Sequence, residues 1–129
     1  MVGVIWFVQL VHYPLLALIG VDRAPEIASE HQKRTGWVVG APMAAEGVTT
    51  LWLLVQRPDG VNFLFPWVAA VLLAVALGCT VFLSVPLHEK MANYPDENVG
   101  KRLVLTNWPR TAAWTLRGAL TFVMLVQAT

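Results

Sequence analysis

Four long apolar stretches, separated by polar connections, set the pattern of the chain. Met1–Val21 contains no Asp, Glu, Lys or Arg, Gly36–Gln56 contains only Glu46, Phe63–Val85 contains none, and Thr106–Gln127 contains Arg110 and Arg117. A membrane-spanning helix needs about 20 mostly apolar residues, and each stretch has that length. The pattern predicts an all-α fold, a four-helix transmembrane bundle. Residues 1–129 form a single integral membrane domain with spans at about 1–21, 36–56, 63–85 and 106–127. Met1–Gly20 has no basic leading segment and no small-x-small cleavage site, so it is read as a retained helix rather than a secretory signal.

The connections sharpen this picture. Arg57-Pro58-Asp59-Gly60 is a compact turn signature, which makes spans two and three antiparallel neighbours. Pro25–Thr35 has proline and acid at its start and Lys33 and Arg34 at its end, with Glu30 and Arg34 spaced as an i,i+4 pair. Pro95, Asp96 and Glu97 followed by Lys101 and Arg102 repeat the arrangement. Both segments are expected to form short interfacial helices. Pro14 and Pro42 lie inside spans and free the carbonyls of Leu10 and Val38. Gly36, Gly40 and Ala44 form a small-residue stripe, expected to serve helix packing within the monomer ahead of a dimer contact.

Composition agrees with a membrane location. The chain is 57% apolar and 13% charged, where a soluble domain is roughly half apolar and a quarter charged. A net charge of +1 gives no reason to expect a nucleic-acid partner or an acidic substrate. The one cysteine, Cys79, sits in an apolar run and is read as a small buried hydrophobe.

Lys and Arg set orientation. Arg23, Lys33 and Arg34 lie in the first connection and Lys90, Lys101 and Arg102 in the third, against Arg57 alone on the other side. Both termini are therefore expected on the non-cytoplasmic side. Trp37 and Trp108 would then mark the cytoplasmic interface, and Trp6, Trp52 and Trp67 the opposite one. Trp114 lies deeper and is assigned to packing.

Candidate chemistry comes from polar groups at membrane depth. Glu46 is ten residues from the start of span two and Arg117 eleven from the start of span four. Both lie roughly 15 Å deep at about 1.5 Å per residue. An isolated charge there costs at least about 3 kcal/mol, so the two are expected to pair. Asn107, Arg110, Trp114 and Arg117 share one stripe of span four, and Gln9, His12 and Leu16 one face of span one, with Tyr13 beside them. Gln9, His12, Tyr13, Glu46, Arg110 and Arg117 should form one polar layer. That layer serves either as glue between helices or as a site.

His31 and His88 lie at the cytoplasmic ends, each beside a glutamate, and are the candidate metal ligands together with His12 or Glu46. Neighbouring helical residues point apart, so Glu30-His31 and His88-Glu89 are not ready chelates. The depth difference between His12 and His88 argues against a simple axial pair for haem. No phosphate loop, nucleophile elbow or HExxH motif is present, and Asn107-Trp108-Pro109 is not a glycosylation site.

Val8–Pro14 (VQLVHYP), Arg34–Met43 (RTGWVVGAPM) and Thr106–Leu120 (TNWPRTAAWTLRGAL) resemble an uncharacterised group of small four-span bacterial membrane proteins. The resemblance implies a bacterial inner (cytoplasmic) membrane. It supplies no activity or cofactor, and Pro109 departs from the group's pattern.

Three functions fit these observations. In the first, the layer holds a lipophilic substrate, a quinone, a haem or a transition metal. Glu46 or His12 would move protons, while Gln9, Tyr13, Arg110, Trp114 and Arg117 bind an oxygen-rich headgroup. In the second, the protein is an accessory subunit of a larger membrane complex. In the third, it is a small transporter working as a dimer, a homo-oligomer of two chains, which the strong Lys/Arg asymmetry and the expected neutralisation of Glu46 place last.

Overall fold

A computed structural model describes residues 1–129. The chain is all-α, with five helices and no strand: α1 Val2–Leu16, α2 Ala24–Val55, α3 Leu64–Asn93, α4 Val99–Thr106 and α5 Trp108–Ala128. Of these, α2 and α3 are long and apolar enough to cross a membrane. At 1.5 Å per residue α1 is roughly 22 Å long, short of a bilayer core of about 30 Å. The last helix has 21 residues but carries Arg110 and Arg117.

Two expected elements differ in extent. The interfacial helix after Pro25 is not separate. Ala24–Val55 is one helix of 32 residues, because Pro25 sits in its first turn and nothing between Thr35 and Gly36 stops it. The segment after Pro95 forms its own helix, α4, but this starts at Val99 and leaves Pro95, Asp96 and Glu97 in the turn before it, where Asp96 pairs with Lys90; the expected Glu30–Arg34 pair is present on α2. Pro109 falls in the first turn of α5, where its missing N–H costs no helical bond. The Arg57–Gly60 turn is present. Gly60 adopts φ +84°, and a side chain there would meet the Gln127 carbonyl oxygen at 2.6 Å. A Cβ at Gly100 would lie 2.5 Å from Ala17 Cα, so only glycine lets α4 cross the end of α1 this closely.

Pro14 and Pro86 shape their helices in the same way. Each is preceded by a widened π turn, Val8–His12 and Thr80–Ser84. The turns close with five-residue bonds, Tyr13 N–H to Val8 O and Val85 N–H to Thr80 O, one residue before the proline. Proline donates no hydrogen bond and its ring repels the carbonyl four residues earlier. A wider turn accommodates that carbonyl, and such turns often occur at functional sites. Pro42 leaves α2 regular.

The helices pack so that α5 lies along α3 and α1, while α2 rests on α3. Apolar clusters form around Ala28, Met91 and Leu103, around Ile5, Ala76 and Trp114, and around Val61, Ala69 and Met124. The surface inverts the usual order. Phe7, Leu18, Trp37, Val55, Phe82 and Phe122 are exposed, while Gln9, Asn107, Arg110, Thr111 and Arg117 are buried. The Gly36–Gly40–Ala44 stripe also faces outward, and a Cβ at Gly36 or Gly40 would touch nothing within 4 Å. Packing within the monomer is therefore not its role. Trp6 and Trp108, expected at opposite interfaces, have ring centroids 6.0 Å apart. The reason is that α1 enters the bundle beside Gly118, so Trp6 reaches only as far as Thr115, with Nε1 donating to Oγ1 at 3.0 Å.

Candidate ligand-binding site

The expected single polar layer resolves into three adjoining groups. The first gathers all three histidines of the chain. His12 ends the π turn of α1, His31 comes from the first part of α2, and His88 lies two residues after Pro86 in α3. His12 Nε2 lies 2.7 Å from His31 Nδ1, and Thr35 Oγ1 is 3.1 Å from the same His31 nitrogen. The rings of His12 and His31 have centroids 4.6 Å apart, and those of His31 and His88 are 4.7 Å apart. Tyr13 OH is 3.0 Å from His88 Nε2. A short contact between two imidazole nitrogens needs one to donate and the other to accept, so His12 and His31 cannot both be fully protonated while it persists.

This gathering corrects the depth reading. Counting His12 from residue 21 separates it from His88. The helix in fact stops at Leu16, so His12 is one turn from the end of α1 and level with the other two rings. The rings form a tilted column rather than pointing at a common centre, and no group of three His, Cys, Asp or Glu side chains has the arrangement to hold a metal ion. His31 and His88, expected as metal ligands, therefore do not form a ligand set with His12 or Glu46. Neither glutamate neighbour joins them: Glu30 pairs with Arg34, and Glu89 is exposed.

The second group is a buried network. Gln9 Nε2 donates to the Val104 carbonyl, Asn107 Nδ2 and Thr111 Oγ1 donate to Gln9 Oε1, and Arg110 Nη1 donates to both Ser84 Oγ (2.9 Å) and Asn107 Oδ1 (3.1 Å). The Arg110 guanidinium also lies 5.3 Å over the Trp114 ring, within cation–π range.

The third group surrounds Glu46. Arg117 Nη1 lies 3.6 Å from Glu46 Oε2, so acid and base are neighbours, but Glu46 is 21% exposed and each has a shorter partner. Trp114 Nε1 donates to Glu46 at 2.8 Å, and Arg117 Nη2 donates to Thr50 Oγ1 at 2.7 Å. The Met1 amino group is 3.4 Å from the other Glu46 oxygen.

Glu46 and the histidines do not share a cavity, contrary to the assignment of Glu46 and His12 to one catalytic centre. A cleft of about 280 Å³ is lined chiefly by α2 and α3 and includes His31, His88, Tyr13, Ser84 and Arg110. Glu46, Thr50 and Arg117 line a different one of about 290 Å³. Equal depth does not fix the direction a helix faces, and Trp114 fills the space between. His12 flanks a shallower hollow on the far side of His31. Gln32, Thr35 and Ser84 were missed from the sequence. The Ser84-Val85-Pro86 step, matching His12-Tyr13-Pro14, was the signal that could have found Ser84. Comparison with protein-family models, curated proteins and solved structures gives no match.

Proposed function

We propose that the chain is a four-span protein of the bacterial inner membrane that binds a lipophilic molecule in the cleft between α2 and α3, with proton exchange at the molecule's oxygen-bearing head. The termini face away from the cytoplasm, in line with the Lys/Arg bias of the connections. In this reading α1 and α5 complete the bundle beside α2 and α3. The apolar exterior and polar interior support residence in lipid, where every polar group must find its partner inside the protein.

The observation that carries the reading is the convergence of all three histidines from three helices, with Tyr13, Ser84 and Arg110, beside a cleft whose rim at Gly36 is exposed. Tyr13 and His88 can pass a proton between a bound head and the histidine column. Quinones and related phenols have the required combination of an apolar body and polar oxygens.

The test uses protein in nanodiscs, titrated with decyl-tailed probes bearing quinone, alcohol or carboxylate heads, with tryptophan fluorescence as the readout. At least one probe should saturate a single site, and Met43→Trp, which fills the cleft wall, should abolish that binding. Absence of saturable binding for every probe, or binding untouched by Met43→Trp, would remove the reading.

A second reading has its own support. The outward Gly36–Gly40–Ala44 stripe suits contact with another membrane helix, as in a subunit of a larger complex. Bulky substitution at Gly40 should then dissociate a complex isolated in mild detergent. An unchanged, monomeric elution for both proteins would count against it.

A further inference from the structure

Four buried side-chain nitrogens lack a hydrogen-bond partner: those of Gln32 Nε2, His88 Nδ1, Arg110 Nε and Arg117 Nε. Three of the four belong to residues lining the same cleft. Buried polar groups are nearly always paired, so several orphans around one cavity indicate an absent partner. Their chemistry is one-sided. The Gln32 amide nitrogen and Arg110 Nε can only donate. His88 Nδ1 donates as well in the tautomer whose Nε2 accepts from Tyr13 OH. No Asp or Glu lines the cleft to receive these bonds.

Charge points the same way. Arg110 is 8% exposed and forms no ion pair, unlike Arg117, which has Glu46. Both of its hydrogen bonds leave from Nη1, to Ser84 and Asn107. These anchor one corner of the guanidinium and leave the edge formed by Nε and Nη2 without a protein partner. That edge presents two parallel N–H groups with the spacing of a carboxylate's two oxygens. An uncompensated cation at membrane depth is costly and is normally matched by a counter-charge.

We propose that the ligand of this cleft is an acidic lipophile, bound as a singly charged oxyanion on the free edge of Arg110 with Gln32 and His88 as further donors. This rests on the reading of the cleft as a binding site and narrows its ligand class. A single unpaired arginine matches one negative charge, which suits a carboxylate or an ionised phenol.

The test compares tails of equal length in nanodiscs: a decyl carboxylate, a decyl-substituted nitrophenol, the decyl alcohol and a neutral decyl quinone. The acids should bind about tenfold or more tightly than the neutral probes, as expected for a hydrogen bond to a charged group. The ratio between the two acids assigns the oxyanion to carboxylate or phenolate. Arg110→Gln should weaken the acids far more than the neutral probes and so erase the preference, and Arg110→Lys should restore part of it. Gln32→Leu, at a half-buried site outside the Arg110 network, should weaken acid binding several-fold even if the arginine variants fail to fold. Neutral probes that match the acids, at a site still blocked by Met43→Trp, would overturn the charge inference and leave the cleft standing. Failure of every probe would overturn both.

Discussion

The bundle holds two arginines on one face of α5, and they are treated differently. Arg117 has an acid at 3.6 Å and a hydroxyl at 2.7 Å, so its charge is answered within the protein. Arg110, two turns earlier, has a hydroxyl, an amide oxygen and an indole face but no acid. The Glu46 region matches its charge internally and leaves one donor, Arg117 Nε, unpaired, whereas the histidine end leaves three unpaired nitrogens around a cleft that no Asp or Glu lines. Balanced buried charge does what glue does between helices. Unbalanced buried charge calls for something outside the chain. The contrast turns a general suspicion about polar membrane residues into a choice between two particular places.

Trp114 joins the two regions, and its removal should be the largest single disturbance. It is buried, donates to Glu46 and lies beneath Arg110. Trp114→Ala should cost about 3–5 kcal/mol, the usual range for deleting a buried aromatic, measured by reversible unfolding in mixed micelles. Trp114→Phe keeps a ring beneath Arg110 and loses only the bond to Glu46, so its cost should be near 1 kcal/mol. Equal losses for the two variants would show that packing of the ring contributes little and that the Glu46 bond dominates.

Glu46→Gln separates the regions directly. The amide still accepts from Trp114, but Arg117 loses its counter-charge. Breaking a buried pair costs about 3–5 kcal/mol; with one-fifth of Glu46 exposed, about 1–3 kcal/mol is expected here. Binding in the histidine cleft should change by less than about twofold, since the amide keeps the bond to Trp114, the one residue the two regions share. A Glu46→Gln protein that folds normally and loses cleft binding would merge the two regions again.

Much of the element pattern was readable from the chain. The 57–60 turn, the Glu30–Arg34 pair, the burial of Trp114 and the nearness of Glu46 and Arg117 follow from spacing, turn chemistry and depth. The histidine column was not readable, for two physical reasons. A run of apolar residues does not reveal where its helix stops, and α1 stops at Leu16, five residues before the apolar run ends. Depth also says nothing about rotation about the helix axis. The π turns before Pro14 and Pro86 change that rotation by an amount that periodicity cannot supply. The same gap explains why Trp6 and Trp108 meet, and why Glu46 and His12 line separate cavities.

Within the histidine end, Tyr13→Phe removes the one hydrogen bond that fixes the His88 ring. Loss of a single bond of this kind costs about 1 kcal/mol. The functional signature is more telling than the stability change. With no hydroxyl on Nε2, the ring can place its proton on either nitrogen, so acid binding in the cleft should weaken while neutral-probe binding holds. Parallel weakening of both would mean that Tyr13 shapes the cleft rather than orienting His88.

The smallest effect is expected at the edge of that same end, where Lys90 and Asp96 pair at 2.5 Å across the α3–α4 connection. The Lys90 hydrogen bond, followed by the Asn98 backbone N–H, holds the Asp96 carboxyl below its ordinary range. A carboxyl with a lowered folded-state pKa adds stability above its unfolded-state pKa and loses it as pH falls through the folded value. The wild-type chain should therefore be slightly more stable than Asp96→Asn near neutral pH, and the two should converge in acid. The pair is exposed, so the gap at neutral pH should be at the limit of detection and should shrink with salt. A gap that survives in acid would show that the side chain holds the connection by shape rather than charge. A large gap at neutral pH would make closure of the histidine end depend on its surface charges, a dependence that the charge balance around Glu46 does not share.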